Sequence, residues 1–373
     1  MLKSHSLIPS ILLLGLSLFY IKASANNISP DSGPLPVAVI GLSHDHVHWI
    51  LGRPDRGDIK IVGIVEPNQD LAKRFAKSYG FSMDLVYHTT EEMLAACSPK
   101  AVFVFTSIYQ HLEVVEICAP LGIHVMVEKP LAVSVKHARK MQDLARKHGI
   151  HLLTNYETTW YPSNHKVFQM VQKNELGDLR KIVVHDGHRG PKEIGCSKEF
   201  LDWLTDPKLN GGGALTDFGC YGANLITWLA KGQKPISVSA VTQTIKPELY
   251  PKVDDEATIV LEYPKMQGII QASWNWPISR KDMEVYGKTG YAISENNTDI
   301  SYQLSENEQV KSLSLETPSA PYDDPFAMFA AVIKGDITLS PYDLSSLENN
   351  MIVVEILEAA KKSAKRGKSV RLK

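Results

Sequence analysis

Four cysteines in 373 residues, at positions 97, 118, 196 and 220, are too few and too scattered for a disulfide framework or a paired zinc motif. An excess of one charge is missing as well. Forty lysines and arginines face 41 aspartates and glutamates, a net charge of −1, so no basic field is present to hold nucleic acid or an anionic membrane without site-specific contacts. No apolar run reaches the roughly 20 residues of a membrane-spanning helix. Internal repeats and low-complexity linkers are also lacking. What remains is an ordinary globular composition, 44% apolar and 22% charged, in a chain long enough for about two domains.

The first 25 residues have the order of an export signal: Lys3, an apolar stretch from Leu7 to Ile21, then Ala23-Ser24-Ala25. An uncleaved anchor or a buried strand is the alternative. Removal of Lys3 and Lys22 leaves 38 basic against 41 acidic residues, a net of −3. No Arg-Arg pair marks folded export, and no cysteine at the cleavage site marks lipidation. The expectation is an exported protein, periplasmic or secreted, without a membrane span after cleavage.

From Pro36 onward, β-branched runs alternate with helical stretches. Strands are expected at 37–40, 59–65, 101–105, 124–127 and 150–153. Helices are expected at 69–79, around Glu91 to Leu94, at 111–121 and from a Ser134 cap to a Gly149 stop. That alternation predicts a doubly wound parallel sheet over 34–154, with ligands at the carboxyl ends of its strands. Residues 155–373 change to alternating strands at 179–184, 236–241, 257–263, 267–273 and 283–286. These predict an α+β domain with a large, open, mostly antiparallel sheet. A helix over about 344–362 is expected to pack back on one of the domains.

Gly41-Leu42-Ser43-His44-Asp45-His46 stands where a dinucleotide fold carries G-x-G-x-x-G, with only the first glycine kept. Backbone N–H groups at the helix start remain available to a pyrophosphate. Glu66, 25 residues after Gly41, can accept ribose hydroxyls and repel a 2′-phosphate, which favours NAD over NADP; a surface carboxylate is the alternative. Histidines 44, 46 and 48 invite a metal reading that the sequence supports with no second shell, so no metal is expected. Lys129, in Glu128-Lys129-Pro130, reads either as a donor to a substrate hydroxyl or as a strand-end ion pair. In Gly211 to Tyr221, three glycines precede a helix on which Asp217 and Tyr221, four apart, share a face.

The Gly41 loop, Glu66, the segment Thr106 to His111, Glu128-Lys129-Pro130 and the Gly211 to Asn224 segment together resemble the Gfo/Idh/MocA oxidoreductase family, in the branch similar to glucose–fructose oxidoreductase and dihydrodiol dehydrogenase. The resemblance covers nearly all the chain beyond the export signal. It implies a Rossmann domain, a second domain whose open sheet forms oligomer contacts, and hydride transfer between a nicotinamide and a hydroxyl-bearing carbon, commonly of a sugar or cyclitol. It assigns Lys129 to the reacting hydroxyl, Glu128 to the nicotinamide side and Asp217 to the active-site aspartate. Tyr221 stands where many members have histidine. Gly41, Ser43, His44, His46, Glu66, Ser107, His111 and Glu128 then form the expected NAD site. Two departures stand out: the loop lacks its second and third glycines, and Asn155-Tyr156-Glu157 replaces the arginine many members carry after the fifth strand.

The expected activity is an exported NAD-dependent oxidoreductase acting on a sugar or glycoside, forming a homo-oligomer. Lys129, Tyr221 and Asp217 would be catalytic, with Asn155, Trp160, Tyr161, His188 and Arg189 contacting substrate. Free NAD is scarce outside the cytoplasm, so a tightly held cofactor is expected. The alternatives are a redox-neutral glycosidase using transient oxidation, and a binding protein that has lost the cofactor.

Overall fold

Runs that are apolar on both faces build the first sheet, because a parallel sheet covered by helices on both sides has no solvent face. The computed structural model describes Met1 and residues 33–372; apart from Met1, the expected export signal lies outside the described residues. The chain begins β1 (Leu35–Ile40), α1 (Val47–Leu51), β2 (Ile59–Val65), α2 (Gln69–Tyr79), β3 (Val86–Tyr87), α3 (Thr90–Ala96) and β4 (Ala101–Val104). It continues through α4 (His111–Cys118), β5 (His124–Glu128), α5 (Val135–His148) and β6 (Leu152–Asn155). All six strands are parallel, in the order β3-β2-β1-β4-β5-β6. Val37, Ala38 and Val39 are fully buried, as that arrangement requires. The Ser134 hydroxyl caps α5 by accepting from the His137 N–H at 3.3 Å, and Gly149 ends the helix in the left-handed region.

Several details differ from the sequence reading. The sheet's last strand spans Leu152–Asn155 where 150–153 was expected, and α4 ends at Cys118 where 121 was expected. The sheet has a sixth strand, β3, whose two residues are too short to show a period. The helix after the Gly41 loop has only five residues, ending at Gly52.

The second region contains α6 (Pro162–Gln172), β7 (Leu179–Gly187), α7 (Lys198–Leu204), α8 (Ala214–Asp217), α9 (Gly219–Leu229), β8 (Ser237–Gln243), β9 (Glu256–Glu262) and β10 (Gln267–Ser273). Then follow β11 (Arg280–Gly287), β12 (Tyr291–Ser294), β13 (Asp299–Gln303), β14 (Lys311–Ser314), α10 (Pro325–Lys334), α11 (Leu347–Arg366) and β15 (Val370–Arg371). Nine strands pair in the order β14-β13-β12-β11-β7-β10-β9-β8-β15, antiparallel except for β7 with β10. The strand expected at 179–184 runs on through His185-Asp186-Gly187, because β10 and β11 pair with that end of β7 on both sides.

Helix α11 joins the two cores. Its Leu347, Met351 and Val354 enter the apolar cluster of the first sheet, while Val353, Ile356 and Leu357 enter that of the second. In α10, Phe326 and Phe329 pack edge-on against Phe103 of β4, with ring centroids 4.9 and 5.6 Å away. No described helix is long and apolar enough to cross a membrane.

Candidate active site

Strand β5 ends at Glu128, so Lys129 leaves the first sheet at its carboxyl edge and points toward the second region. Its partner is seated by glycine. A Cβ on Gly213 would lie 1.8 Å from the Asp254 carbonyl oxygen, so only glycine lets the chain pass there. The Asp254 carboxylate accepts from the N–H groups of Gly213 (3.0 Å) and Leu215 (2.7 Å), which fixes the start of α8. Asp217, the last residue of α8, then receives the Lys129 ammonium on its carboxylate and, at 3.1 Å, on its backbone carbonyl. The other carboxylate oxygen accepts from the Trp274 indole N–H at 3.1 Å. Burial alone would lower the lysine's pKa, but the Asp217 charge overcomes it and the net shift is upward; Asp217 is correspondingly held down by Lys129 against its own burial. Lys129 is thus a fixed cation. Removing one partner of such a buried pair costs about 3–5 kcal/mol, because the other is left uncompensated.

Two ammonium groups approach the Tyr221 ring, on α9: Lys129 at 5.0 Å and Lys281, from β11, at 4.9 Å from its centroid. Each lysine has its own carboxylate. Lys281 donates to Glu157, just beyond β6, and Glu157 also accepts from the Tyr161 hydroxyl at 2.6 Å. Burial would raise Glu157, but Lys281 draws its pKa down to about 2. Burial, with the nearby Glu157 and Asp186, keeps the Tyr221 phenol well above its usual value, so it is a proton donor and not a phenolate at neutral pH. His188 rests edge-on against Phe218 at 4.8 Å; burial pushes its pKa down to about 4, and its Nδ1 accepts from the Gly190 N–H, leaving the proton on Nε2.

Asp186 is the unexpected member. It is 1% exposed, and among the described residues neither of its carboxylate oxygens has a hydrogen-bond partner. Burial raises its pKa well above the usual carboxylate range, against the pull of the nearby Lys281 and Lys129 charges. An unsatisfied buried polar group of this kind costs about 1–3 kcal/mol.

The loop after β1 makes the other wall. Gly41 has φ +81°, and a Cβ there would meet Thr106 Cγ2 at 2.6 Å, so the loop lies tight against the end of β4. Most of the loop's N–H groups are used inside the chain: Gly41 to Val65 O, Leu42 to Glu66, His44 to Phe105 O and His46 to His44 Nδ1. Among the described residues, the N–H groups of Ser43 and Asp45 have no partner. Because Nδ1 of His44 accepts, its Nε2 carries the proton, and that buried donor is also unpartnered. Glu66 takes the N–H groups of Leu42 (2.9 Å) and Asn68 (2.8 Å), one on each oxygen, and each oxygen keeps a further lone pair. These donors, with a carboxylate at the end of β2, fit a dinucleotide: N–H groups for phosphate oxygens and Glu66 for ribose hydroxyls.

Helix α7 covers this loop from the second region. Asp45 accepts from the Ser197 N–H (3.1 Å) and hydroxyl (2.6 Å), Arg74 pairs with Glu199 at 2.9 Å, and the His44 ring packs on Phe200 and Trp203. His46 donates from Nδ1 to Glu128 at 2.9 Å. The other Glu128 oxygen accepts from Asn155, whose own oxygen accepts from Trp160. Ligand atoms of His44, His46 and Glu128 lie within 4.8 Å of one another, a spacing a metal could use, and two of these residues, His46 and Glu128, already share a hydrogen bond.

Most of the residues singled out in the sequence therefore converge. Gly41, Ser43, His44, His46 and Glu66 form the loop wall. His111 is buried behind it, donating from Nδ1 to Leu131 O, while Ser107 donates its hydroxyl to Gln110. Lys129, Asp217, Tyr221 and His188 form the centre, and Glu128, Asn155, Trp160 and Tyr161 the rim. Arg189 does not join them: it is exposed, and only its backbone carbonyl is engaged, by Lys246. It was expected to contact substrate, but β7 ends at Gly187 and the chain then turns its side chain to solvent. Lys281 and Trp274 escaped the sequence reading, and Asp186 was not among its expected site residues. Alternation along β7 could have flagged Asp186, which follows Ile182 and Val184 on the buried face.

Known proteins resemble both regions of the chain. Residues 35–156 match a family described as "Oxidoreductase family, NAD-binding Rossmann fold", and residues 164–293 match the "GFO/IDH/MocA C-terminal domain". A trans-1,2-dihydrobenzene-1,2-diol dehydrogenase of Sus scrofa is 28% identical over 255 residues, 68% of this chain and 71% of that enzyme. The enzyme of the same name from Macaca fuscata fuscata is 27% identical over 61% of this chain and 64% of its own length. In fold, the chain is similar to an aldose-aldose oxidoreductase from Caulobacter crescentus, with a TM-score of 0.75, 20% identity and coverage of 91% of this chain and 100% of that one. It is similar also to an inositol dehydrogenase homologue from Azotobacter vinelandii crystallised with NAD+, with a TM-score of 0.77, 18% identity and coverage of 91% and 98%.

Proposed function

The chain belongs to the Gfo/Idh/MocA family of NAD-binding oxidoreductases, and from that premise we propose that it oxidises or reduces a carbinol carbon of a sugar or glycoside outside the cytoplasm. The observation that carries this reading is the buried Lys129–Asp217–Trp274 chain at the carboxyl edge of the Rossmann sheet. A bound nicotinamide supplies the hydride acceptor or donor. Ser43, Asp45, His44 and Glu66 would hold the dinucleotide, the carboxylate of Glu66 disfavouring a 2′-phosphate.

The protein's own groups handle the oxygen and its proton. Lys129 Nζ, fixed as a cation, donates to the carbinol oxygen and stabilises negative charge there. As the hydroxyl proton passes to Nζ, the proton Nζ shares with Asp217 passes to the carboxylate, so the lysine ends with its charge unchanged. Trp274 keeps Asp217 oriented during that exchange. Tyr221, whose burial keeps the phenol protonated, donates a hydrogen bond to the same oxygen or a neighbouring one. Asn155, Trp160 and Tyr161 make the polar and aromatic rim that, with His188 at the centre, receives the ring of the substrate.

The diol dehydrogenases among the relatives and the sugar- and inositol-related structural neighbours support a polyhydroxylated substrate. Export rests on the pattern of residues 1–25 and is checked by N-terminal sequencing of protein recovered from the periplasm or medium, expected to begin at Asn26. The activity is checked in two steps. Mass spectrometry of the small molecule released on denaturation is expected to give NAD, and a panel of sugars and glycosides is expected to change absorbance at the NADH band. Glycoside cleavage without net NADH would replace net oxidation by the redox-neutral reading.

A further inference from the structure

We propose that Lys246 is a positioning residue of the catalytic centre: it ties together the two strand ends that carry His188 and Trp274, and so keeps the Trp274 indole on Asp217. This rests on the reading of Lys129 and Asp217 given above. Strands β7 and β10 are parallel neighbours that end side by side at Gly187 and Ser273. The next residue of each, His188 and Trp274, therefore leaves the sheet at the same edge. Main-chain bonds carry the register one step further, from the His188 N–H to Ser273 O at 3.0 Å and from the Trp276 N–H to His188 O at 3.1 Å. The carbonyls of Arg189 and Trp274 then face a common point.

The Lys246 ammonium occupies that point. It donates to Arg189 O at 2.6 Å, to Trp274 O at 2.6 Å and to the Glu193 carboxylate, which uses all three of its N–H donors. Three oxygens gathered this closely, one of them anionic, repel one another unless a cation stands among them. The other Glu193 oxygen accepts from the hydroxyl of Tyr250, whose buried ring lies 4.9 Å from that of Trp274. The backbone of Lys246 is fixed as well. Its N–H and that of Ile245 each donate to the buried Asp255 carboxylate at 2.7 Å, and the Asp255 carbonyl accepts from the Trp274 N–H at 2.8 Å. Trp274 is thus held at its N–H, its carbonyl and its ring, which sets the direction of the indole N–H toward Asp217 at 3.1 Å. Lys246 acts on the Lys129–Asp217 pair through this residue.

The test is nitrogen NMR of the indole N–H groups in the NAD-saturated full-length protein, with the Trp274 signal identified through Trp274→Phe. In Lys246→Met that signal is expected to move upfield and to lose about 10-fold in protection against solvent exchange, as its bond to the Asp217 carboxylate loosens. The signals of Trp160 and Trp228 should stay in place. Lys246→Arg, which keeps a cation with N–H donors, should restore the Trp274 signal. With the best substrate from the panel of sugars and glycosides, Lys246→Met should lower kcat about 10-fold at unchanged KM. Glu193→Ala should shift Trp274 in the same direction and serves as the reading if Lys246→Met does not fold. The proposal is overturned if the Trp274 signal keeps its wild-type position and protection, if every indole moves together and arginine repairs none, or if kcat is unchanged. Failure of the catalytic reading looks different: Lys129→Ala would keep its turnover while the Trp274 signal still followed Lys246.

Discussion

Lys129 holds Asp217 at two points, the carboxylate and the backbone carbonyl of the same residue, across 88 positions of sequence. The second contact fixes the end of α8 as well as the side chain. Lysine at this position is therefore both a charge and a clamp, and the two roles separate on substitution.

Lys129→Ala should lower kcat by about 100-fold to 10,000-fold, the range of a positioned proton-transfer group, while bound NAD remains detectable by mass spectrometry. The same change leaves Asp217 buried without its cation. Denaturant titration should show a loss of about 3–5 kcal/mol, and Lys129→Met combined with Asp217→Asn should recover part of it. Unchanged turnover in Lys129→Ala would remove the central assignment.

Acid should expose the Glu157–Lys281 pair. Glu157 has a folded pKa of about 2, against roughly 4.3 when unfolded. Its contribution is therefore complete above the unfolded value and is lost as pH falls toward the folded one. The side chain is 33% exposed, so solvent screening reduces the effect to about 1 kcal/mol. Urea titrations at pH 5 and at pH 2.5 should show a smaller acid loss in Glu157→Gln than in the wild type.

Asp186 should give the opposite slope. Burial raises its folded pKa, so above roughly pH 3.9 the unfolded chain releases this proton first and the wild type loses stability as pH rises. Asp186→Asn has no proton to lose. The stability of the variant relative to the wild type should grow between pH 4 and pH 8 in paired denaturant titrations; a constant difference would mean that Asp186 is ionised in the fold.

The α7 cover should slow cofactor exchange. Asp45 accepts two hydrogen bonds from Ser197, and charge-assisted bonds of this kind contribute about 1.5–3 kcal/mol each when buried. These are part-buried, so Asp45→Ala is expected to speed NAD dissociation by about 10-fold. Stopped-flow displacement of the bound nucleotide measures it. An unchanged rate would show that α7 does not have to move for release.

Much of the architecture was decided locally. The runs at 59–65 and 267–273 were legible to the residue as strands, and Ser134 with Gly149 bounded α5 as capping chemistry requires. Glu128-Lys129-Pro130 and the Gly211 to Tyr221 segment marked the site because their residue types are unusual in that order. The two-residue β3 and the short strands β12 to β14 left too little periodicity to read. Partnership was not legible at all. That Lys129 is neutralised by Asp217, that Glu66 already holds two loop N–H groups, that Arg189 turns outward while Asp186 stays buried and unpaired, all depend on segments that meet only after folding. Periodicity and capping act over a few residues and can be read from them; a pKa, a hydrogen bond across 88 residues and an orphaned carboxyl are set by which distant groups share one low-dielectric space, which only the packed chain determines.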